Sequence, residues 1–437
     1  MKISANRPTG GMKSLPIPRT LRRFLQQSAA WTVICFAIEL FCYFVLHLRA
    51  PYDYHAGQRQ FIFIDFTPYI HLFANFHSRS FFDPFRLMYP APAVVSYRLL
   101  LLGGGVRHPH FATWRFVGIM VATSWILMLL VGRSLVRRGL APRSTIKFLL
   151  ATYFLSFPFW FEVHQANLEF VVWIVIIVGL WAFWTDRSYL AAAMFGVAIS
   201  MKIFPFMYLG LLVARKEFRQ AVFALFVTGA TTITSLWLVC PDIRYSLQQT
   251  NIGVDLFRKM YVLGLRPLET GYDHSLFCLF KRMLPRLPRP HHFQQFFMAY
   301  AVVAAICGFY LFFTRIRKLP VVNQILCLSV AAILLPPTSY DYTLLHLYAP
   351  FVLLVFVLLE QTMKGSDKTL PGIPLAFALF AFLLSAQEEF IYHGLRYAGQ
   401  LKAIALLALF AVALRYPFRS RVDLQNETQD TLKFASY

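Results

Sequence analysis

The sequence predicts an all-α polytopic membrane protein, and three observations predict it. Of 437 residues, 58% are hydrophobic and 14% charged, whereas a soluble domain is about 25% charged, so too few charges remain to coat a solvated surface. Apolar runs of spanning length, roughly 17–25 residues, recur along the chain. Between them the basic residues gather in short clusters, the pattern of a membrane-orientation signal.

A net charge of +22 also suits a nucleic-acid binder, but that function masses its basic residues on one soluble module. Their dispersal between apolar runs excludes nucleic acid as a partner and leaves membrane lipid.

The first run, 28–48, is longer than a signal-peptide core and has no small-residue cleavage site behind it, so it reads as an uncleaved anchor. The tail 1–27 carries Lys2, Arg7, Lys13, Arg19, Arg22 and Arg23 without an acid, which places it in the cytoplasm. Further spans are expected at 111–132, 145–161, 167–184, 218–239, 293–313, 321–336, 343–361, 372–387 and 398–415. Counting the first, that makes about 10 full transmembrane helices within a single domain, 28–415.

The stretch 188–213 decides the sidedness. As one crossing it would put Arg215, Lys216 and Arg219 outside and invert the later clusters at Arg315, Arg317, Lys318 and at Lys364, Lys368. As a broken re-entrant pair of half-helices, turning at Met201-Lys202-Ile203-Phe204-Pro205, it keeps every cluster inside. Proline removes a backbone donor and disfavours helix before it, so the break has a local cause. Broken helices at membrane depth need a covering protein wall or a wet cavity, which implies a cavity around Lys202.

The outer face then receives the loop 49–110 with its interfacial segments, the step 162–169, the long loop 240–292, and the segments 336–342 and 387–397. Against the rule of basic residues inside, the long loop holds Arg244, Arg258, Lys259, Arg266, Lys281, Arg282, Arg286 and Arg289. The tail 416–437 is polar and mixed in charge, and is expected to be cytoplasmic and disordered. Among the six cysteines no pair has metal-ligand spacing; Cys240 and Cys278, on or beside the long loop, are the pair left open for a disulfide.

Polar residues not needed at span ends gather on the outer face. Asp65 stands alone in Phe61-Ile62-Phe63-Ile64-Asp65-Phe66; it either faces headgroups or, raised in pKa by apolar neighbours, abstracts a proton. Glu162, His164, Gln165, Asn167 and Glu169 separate two spans too closely for a true loop. Some of them close helix ends, and the rest suit the donors and acceptors of a sugar. Lys202 either snorkels from a shallow tip or, beside freed backbone N–H groups, takes an anionic phosphate. Pro336-Pro337-Thr338-Ser339-Tyr340-Asp341-Tyr342 reads as a plain turn or as a site wall, and so do Gln387, Glu388, Glu389 and His393. No histidine pair has zincin spacing and no Gly-rich phosphate loop occurs.

Three pieces in order resemble glycosyltransferase family 87, polyprenyl-phosphate-mannose-dependent enzymes of the polytopic GT-C class. They are Asp65-Phe66 with Tyr89-Pro90-Ala91-Pro92; Gln165-Ala166-Asn167 with the run from Gly196 to Pro205; and Pro337-Thr338-Ser339-Tyr340. His164 replaces a family glycine, Tyr340 a tryptophan, and Asp341-Tyr342-Thr343 stands where histidines are common.

The resemblance implies a GT-C-like fold and an inverting hexosyltransferase, with a polyprenyl-phosphate sugar as donor and a glycan or glycolipid as acceptor. It implies Asp65 as general base, Lys202 and Arg266 on the donor phosphate, and His164, Gln165, Asn167, Ser339, Tyr340 and Asp341 around sugar and acceptor. Without a DxD element for a nucleotide-sugar metal, neither metal nor cofactor is expected. The expected location is the bacterial inner (plasma) membrane, termini cytoplasmic and site outside. A secondary transporter also accommodates a lysine and a broken helix at depth, though no hydropathy repeat is visible; a lipid-linked glycan polymerase or ligase also fits the basic outer loop.

Overall fold

The computed structural model describes residues 17–45, 66–82, 88–102, 107–154, 156–263, 271–283, 290–363, 370–386, 391–392 and 395–419. Regular structure among them is helical, apart from a two-residue antiparallel ladder pairing Ile391 with Arg396 and Tyr392 with Leu395. Residues 420–437 of the tail expected to be disordered, and Gln387, Glu388, Glu389 and His393 of the expected outer cluster, lie outside the described residues.

Helix α1 (Arg19–Phe44) takes in most of the first expected span but starts inside the basic tail, directly after Pro18. Leu21 and Phe24 are the reason: both are sealed in the core, Phe24 against Phe148, Phe351 and Phe377. The segment that follows holds the 3-10 turns Thr67–Asn75 and Arg79–Phe82, then α2 (Ala91–Leu100). Next come α3 (Pro109–Arg137), α4 (Pro142–Leu149), a π turn (Leu150–Phe154) and α5 (Phe157–Gln165). The bend of 49° before α5 has a cause in Pro158, which cannot donate to residue 154 and clashes with its carbonyl.

The chain continues through α6 (Glu169–Trp184), α7 (Ser188–Met201), a 3-10 turn (Phe204–Tyr208), α8 (Leu209–Ala214), α9 (Phe218–Val239) and α10 (Ile243–Phe257). After α11 (Leu276–Met283) and α12 (Pro290–Thr314) come α13 (Val321–Leu334), a 3-10 segment (Asp341–Leu347) and α14 (Tyr348–Met363), then α15 (Ile373–Ser385) and α16 (Ala398–Arg415).

Five helices among the described residues are long and apolar enough to cross a membrane: His110–Arg137, Phe218–Val239, Phe293–Lys318, Asp341–Met363 and Ala398–Arg415. The bent pair Pro142–Tyr153 and Phe157–Gln165 makes a sixth if it is one span. Of the other four expected spans, the first lies mostly in the 26-residue α1, and three come out shorter: α6 has 16 residues, α13 has 14 and α15 has 13. At 1.5 Å per residue these rise roughly 20–24 Å, less than the ~30 Å hydrocarbon core.

The stretch 188–213 turns back on itself. Pro205 has no N–H to offer the Met201 carbonyl, so α7 stops at Met201 and Lys202 is extended (φ −147°, ψ 145°). The return ends where the stretch began. Arg215 Nη1 donates to Phe183 O at 3.0 Å and to Asp186 Oδ1 at 3.1 Å, and Ser188 Oγ donates to Glu217 Oε1 at 2.7 Å. Phe195 of α7 stacks on Tyr208 of the returning limb, centroids 5.7 Å apart. Against the same helix, α9 comes so close that a Cβ on Gly196 would lie 2.5 Å from Ala224 O.

Segments expected on one side of the membrane meet at one end of the bundle. Arg138, after α3, pairs with Glu360 near the end of α14 at 2.7 Å, and Asn323 Nδ2 near the start of α13 donates to Ala413 O and Tyr416 O at the end of α16. At the other end His77 N donates to Val239 O at 3.0 Å, Arg79 pairs with Asp242 at 2.5 Å, and Gly399 N donates to Gly271 O at 2.9 Å. Cys240 and Cys278 are both buried and are not joined by a disulfide; burial pushes the Cys278 thiol up, away from thiolate chemistry.

Candidate functional site

The step between α5 and α6 is built at Ala166, whose backbone is left-handed (φ 49°) and whose N–H returns to Glu162 O at 2.9 Å. Such a turn leaves the first N–H groups of α6 without helical partners. Asn167 Oδ1 accepts from Glu169 N at 2.8 Å and Glu162 Oε1 accepts from Phe170 N at 3.1 Å. Two of the five polar groups of the step therefore close a helix end.

Glu169 itself is fully buried and holds one partner on each oxygen. Lys202 Nζ, from the α7–α8 turn, reaches Oε2, and His346 Nε2 lies 2.5 Å from Oε1. Lys202 Nζ also stands 3.5 Å from Asn167 Oδ1 and 5.2 Å from the centre of the Tyr342 ring. Phe204 packs edge-on against His346, centroids 5.0 Å apart. The Lys202 side chain is 20% exposed while those of Glu169 and His346 are 0% exposed, so of these three charged or titratable groups Lys202 alone reaches open space. The proline break and the charge at Lys202 are thus parts of one arrangement, in which the turn delivers an ammonium to the N-terminal end of α6.

A second buried network ties the 336–347 segment down. Asp341 pairs with Lys402 of α16 at 2.7 Å, and His274 Nδ1 lies 3.8 Å from the same carboxylate. Ser339 Oγ is 3.1 Å from His274 Nε2 and 2.9 Å from Thr343 Oγ1. Asp273 Oδ1 accepts from Ser275 N at 2.8 Å and Ser339 N at 3.0 Å. Burial raises the Asp273 carboxyl to about 6, against the pull of those two N–H groups. Burial likewise lowers His274 to about 4, opposed by Asp341. Gly399 is where α16 and the 271–275 loop touch: a Cβ there would lie 2.6 Å from Asp273 O.

Among the residues expected at the site, Asp65 and Arg266 lie outside the described residues. Lys202, Asn167 and the 339–342 segment are brought together; Gln165 is buried and His164 partly exposed at the end of α5. Tyr340 is partly exposed, its ring 5.9 Å from Tyr342, which stacks on Phe161 at 6.0 Å. Ser339 and Asp341 are buried and spend their side chains on internal partners. Four residues that sequence reasoning passed over complete the networks: His346, Lys402, Asp273 and His274. The signal for Lys402 was the same as for Lys202, a lysine inside an apolar span.

The arrangement offers one ammonium, partly exposed and flanked by an aromatic ring, at the end of a helix bundle. That ammonium is already paired with Glu169, and its exposed side is where an anionic group can approach it. The family model of glycosyltransferase family 87 matches residues 88–337, which contain the α5–α6 step, the Lys202 turn and the 271–275 loop. No curated protein and no solved structure matches the chain.

Proposed function

The chain belongs to glycosyltransferase family 87, and from that membership we propose that it moves a hexose, mannose by its motifs, from a polyprenyl-phosphate donor to a glycan or glycolipid hydroxyl at the outer face of the membrane. The observation that carries the donor class is the Lys202 ammonium, held by Glu169 and partly open to its surroundings. An uncharged sugar needs no such group, and a lipid phosphate does.

In the proposed reaction the acceptor oxygen attacks the anomeric carbon, Asp65 takes the hydroxyl proton, and the bond to the phosphate oxygen breaks with its electron pair on the phosphate. The charge growing there is met by Lys202, with Arg266 beside it, which replaces a general acid. Attack opposite the leaving group inverts the anomeric centre. His164, Gln165 and Tyr340 face sugar and acceptor, Asn167 caps α6 beside Lys202, and Ser339 and Asp341 fix the segment that carries Tyr340. Neither metal nor cofactor takes part.

The remaining features are proposed with it: about ten crossings in a GT-C-like arrangement, the re-entrant pair entering from the cytoplasm, both termini cytoplasmic, and residence in a bacterial plasma membrane. Transporter sites lie between internal repeats, and no hydropathy repeat is visible in this sequence, which favours transfer over transport. The test is transfer of radiolabelled mannose from polyprenyl-phosphate mannose to a glycan or glycolipid by the purified protein, with Asp65→Asn alongside. Transfer that the substitution abolishes is expected; no transfer from any polyprenyl-phosphate sugar, or full transfer by Asp65→Asn, sinks the proposal.

A further inference from the structure

Glu169 has more partners than it needs. One cation neutralises a carboxylate, yet Lys202 and His346 each occupy one of its oxygens. The two partners differ in what else they reach. The His346 side chain is completely enclosed, packed on Phe204, and has no route away from Glu169. Lys202 is the partly exposed one, on an extended residue after a broken helix, with Tyr342 as a second surface beside it.

A buried carboxylate stripped of its last partner is strongly unfavourable. A lysine that is the sole partner of such a group is therefore not available to a ligand, and the electrostatic pull of Glu169 competes with any incoming anion. With His346 fixed on the other oxygen, Glu169 keeps a hydrogen bond when the ammonium moves.

We propose that His346 is a positioning residue that holds Glu169 while Lys202 swings from that carboxylate to an anionic phosphate ester. The inference deepens the donor-site reading above and rests on it. The groups facing His346 are Glu169 of α6 and Lys202 of the α7–α8 turn; on its own segment stands Asp341, already committed to Lys402 and His274. None of the latter three pairs with Glu169, so the exchange stays within the Glu169, Lys202 and His346 triad.

The test is a coupling measurement on the full-length protein in detergent. Binding of dodecyl phosphate, and separately of inorganic phosphate, is measured for wild type, His346→Leu, Glu169→Gln and the double variant. His346→Leu leaves Lys202 as the only partner of Glu169, and its affinity for dodecyl phosphate falls about tenfold, in the range of coupling seen for close charge pairs. Glu169→Gln binds at least as tightly as wild type, because the competing carboxylate is gone. The double variant binds like Glu169→Gln, a recovery that a merely structural loss at position 346 does not produce.

Gel-filtration profile and thermal unfolding report which variants fold. Should His346→Leu fail, Glu169→Gln alone decides: affinity below wild type overturns the inference. Equal affinities throughout, additive losses in the double variant, or no binding of either anion by wild type also overturn it. The same pattern with dodecyl phosphate and with inorganic phosphate supports exchange onto any phosphate, and a pattern confined to dodecyl phosphate supports a lipid-specific one. Because binding is the readout, a wild type that binds with this coupling yet transfers no sugar sinks the transferase reading and leaves the exchange standing.

Discussion

Lys402 Nζ lies 2.7 Å from Asp341 Oδ1 with both side chains sealed from solvent, and that pair joins α16 to the segment leading to His346. Removing one member leaves the other charged and enclosed, which costs about 3–5 kcal/mol. Asp341→Asn and Lys402→Met are each expected to lower the thermal unfolding midpoint in detergent by many degrees. Asp341→Asn combined with Lys402→Met is expected to recover most of the loss. A double variant as unstable as the sum of the singles would show that the pair is not coupled.

Opposite pH responses are built into neighbours in the loop. Asp273 is raised to about 6 in the folded protein, so its contribution to stability is full below its ordinary value near 4 and is lost as pH rises through 6. His274 is lowered to about 4, so its contribution is full above its ordinary value near 6.5 and is lost as pH falls through 4. Each swing is about 3 kcal/mol, and the two largely cancel. His274→Gln should therefore uncover a protein that becomes more stable from pH 6.5 to 4, and Asp273→Asn one that becomes less stable. Parallel unfolding midpoints for both variants across that window would contradict these assignments.

Close approach of α7 and α9 makes Gly196 intolerant of a side chain. Gly196→Val drives a Cβ to 2.5 Å from a backbone oxygen and disturbs the acceptor of Thr228 Oγ1, at a cost of about 1–3 kcal/mol. Gly118, with nothing within 4 Å of a built Cβ, provides the control: Gly118→Ala should leave the unfolding midpoint within a degree or two.

The proposed topology opens the turn at Lys202 to the outer side. Lys202→Cys in intact cells is expected to react with a membrane-impermeant maleimide added outside. Labelling solely from the cytoplasmic face of inverted vesicles would reverse the proposed sidedness.

Local chemistry made part of this structure readable from the chain. Pro205 forecast the break after Met201, the cluster at Arg215 and Lys216 forecast the return, and both are present. Asn167 and Glu162 illustrate two uses of one residue type: composition permitted either sugar contacts or helix caps, and the caps are what the backbone of α6 demands. Lys402 and His346 stayed hidden because one ionisable residue hardly lowers the hydropathy of an 18-residue window that is otherwise Leu, Ala, Val and Phe. Asp273 and His274 acquire meaning from Ser339 and Asp341, more than 60 residues away, and no spacing rule connects such positions. Span counting suffered for a related reason, since helices enclosed by other helices need not match the bilayer.

Two short helices are among the enclosed ones, together with the 23-residue span Asp341–Met363. α13 and α15 are mostly buried, while the longer α3, α9 and α12 present most of their surface outward. α9, of 22 residues, is longer than α13, of 14, by about 12 Å of rise. In the proposed transfer, a lipid-borne donor reaches the ends of such shorter central helices from the side, along the wall that the longer helices present to the lipid.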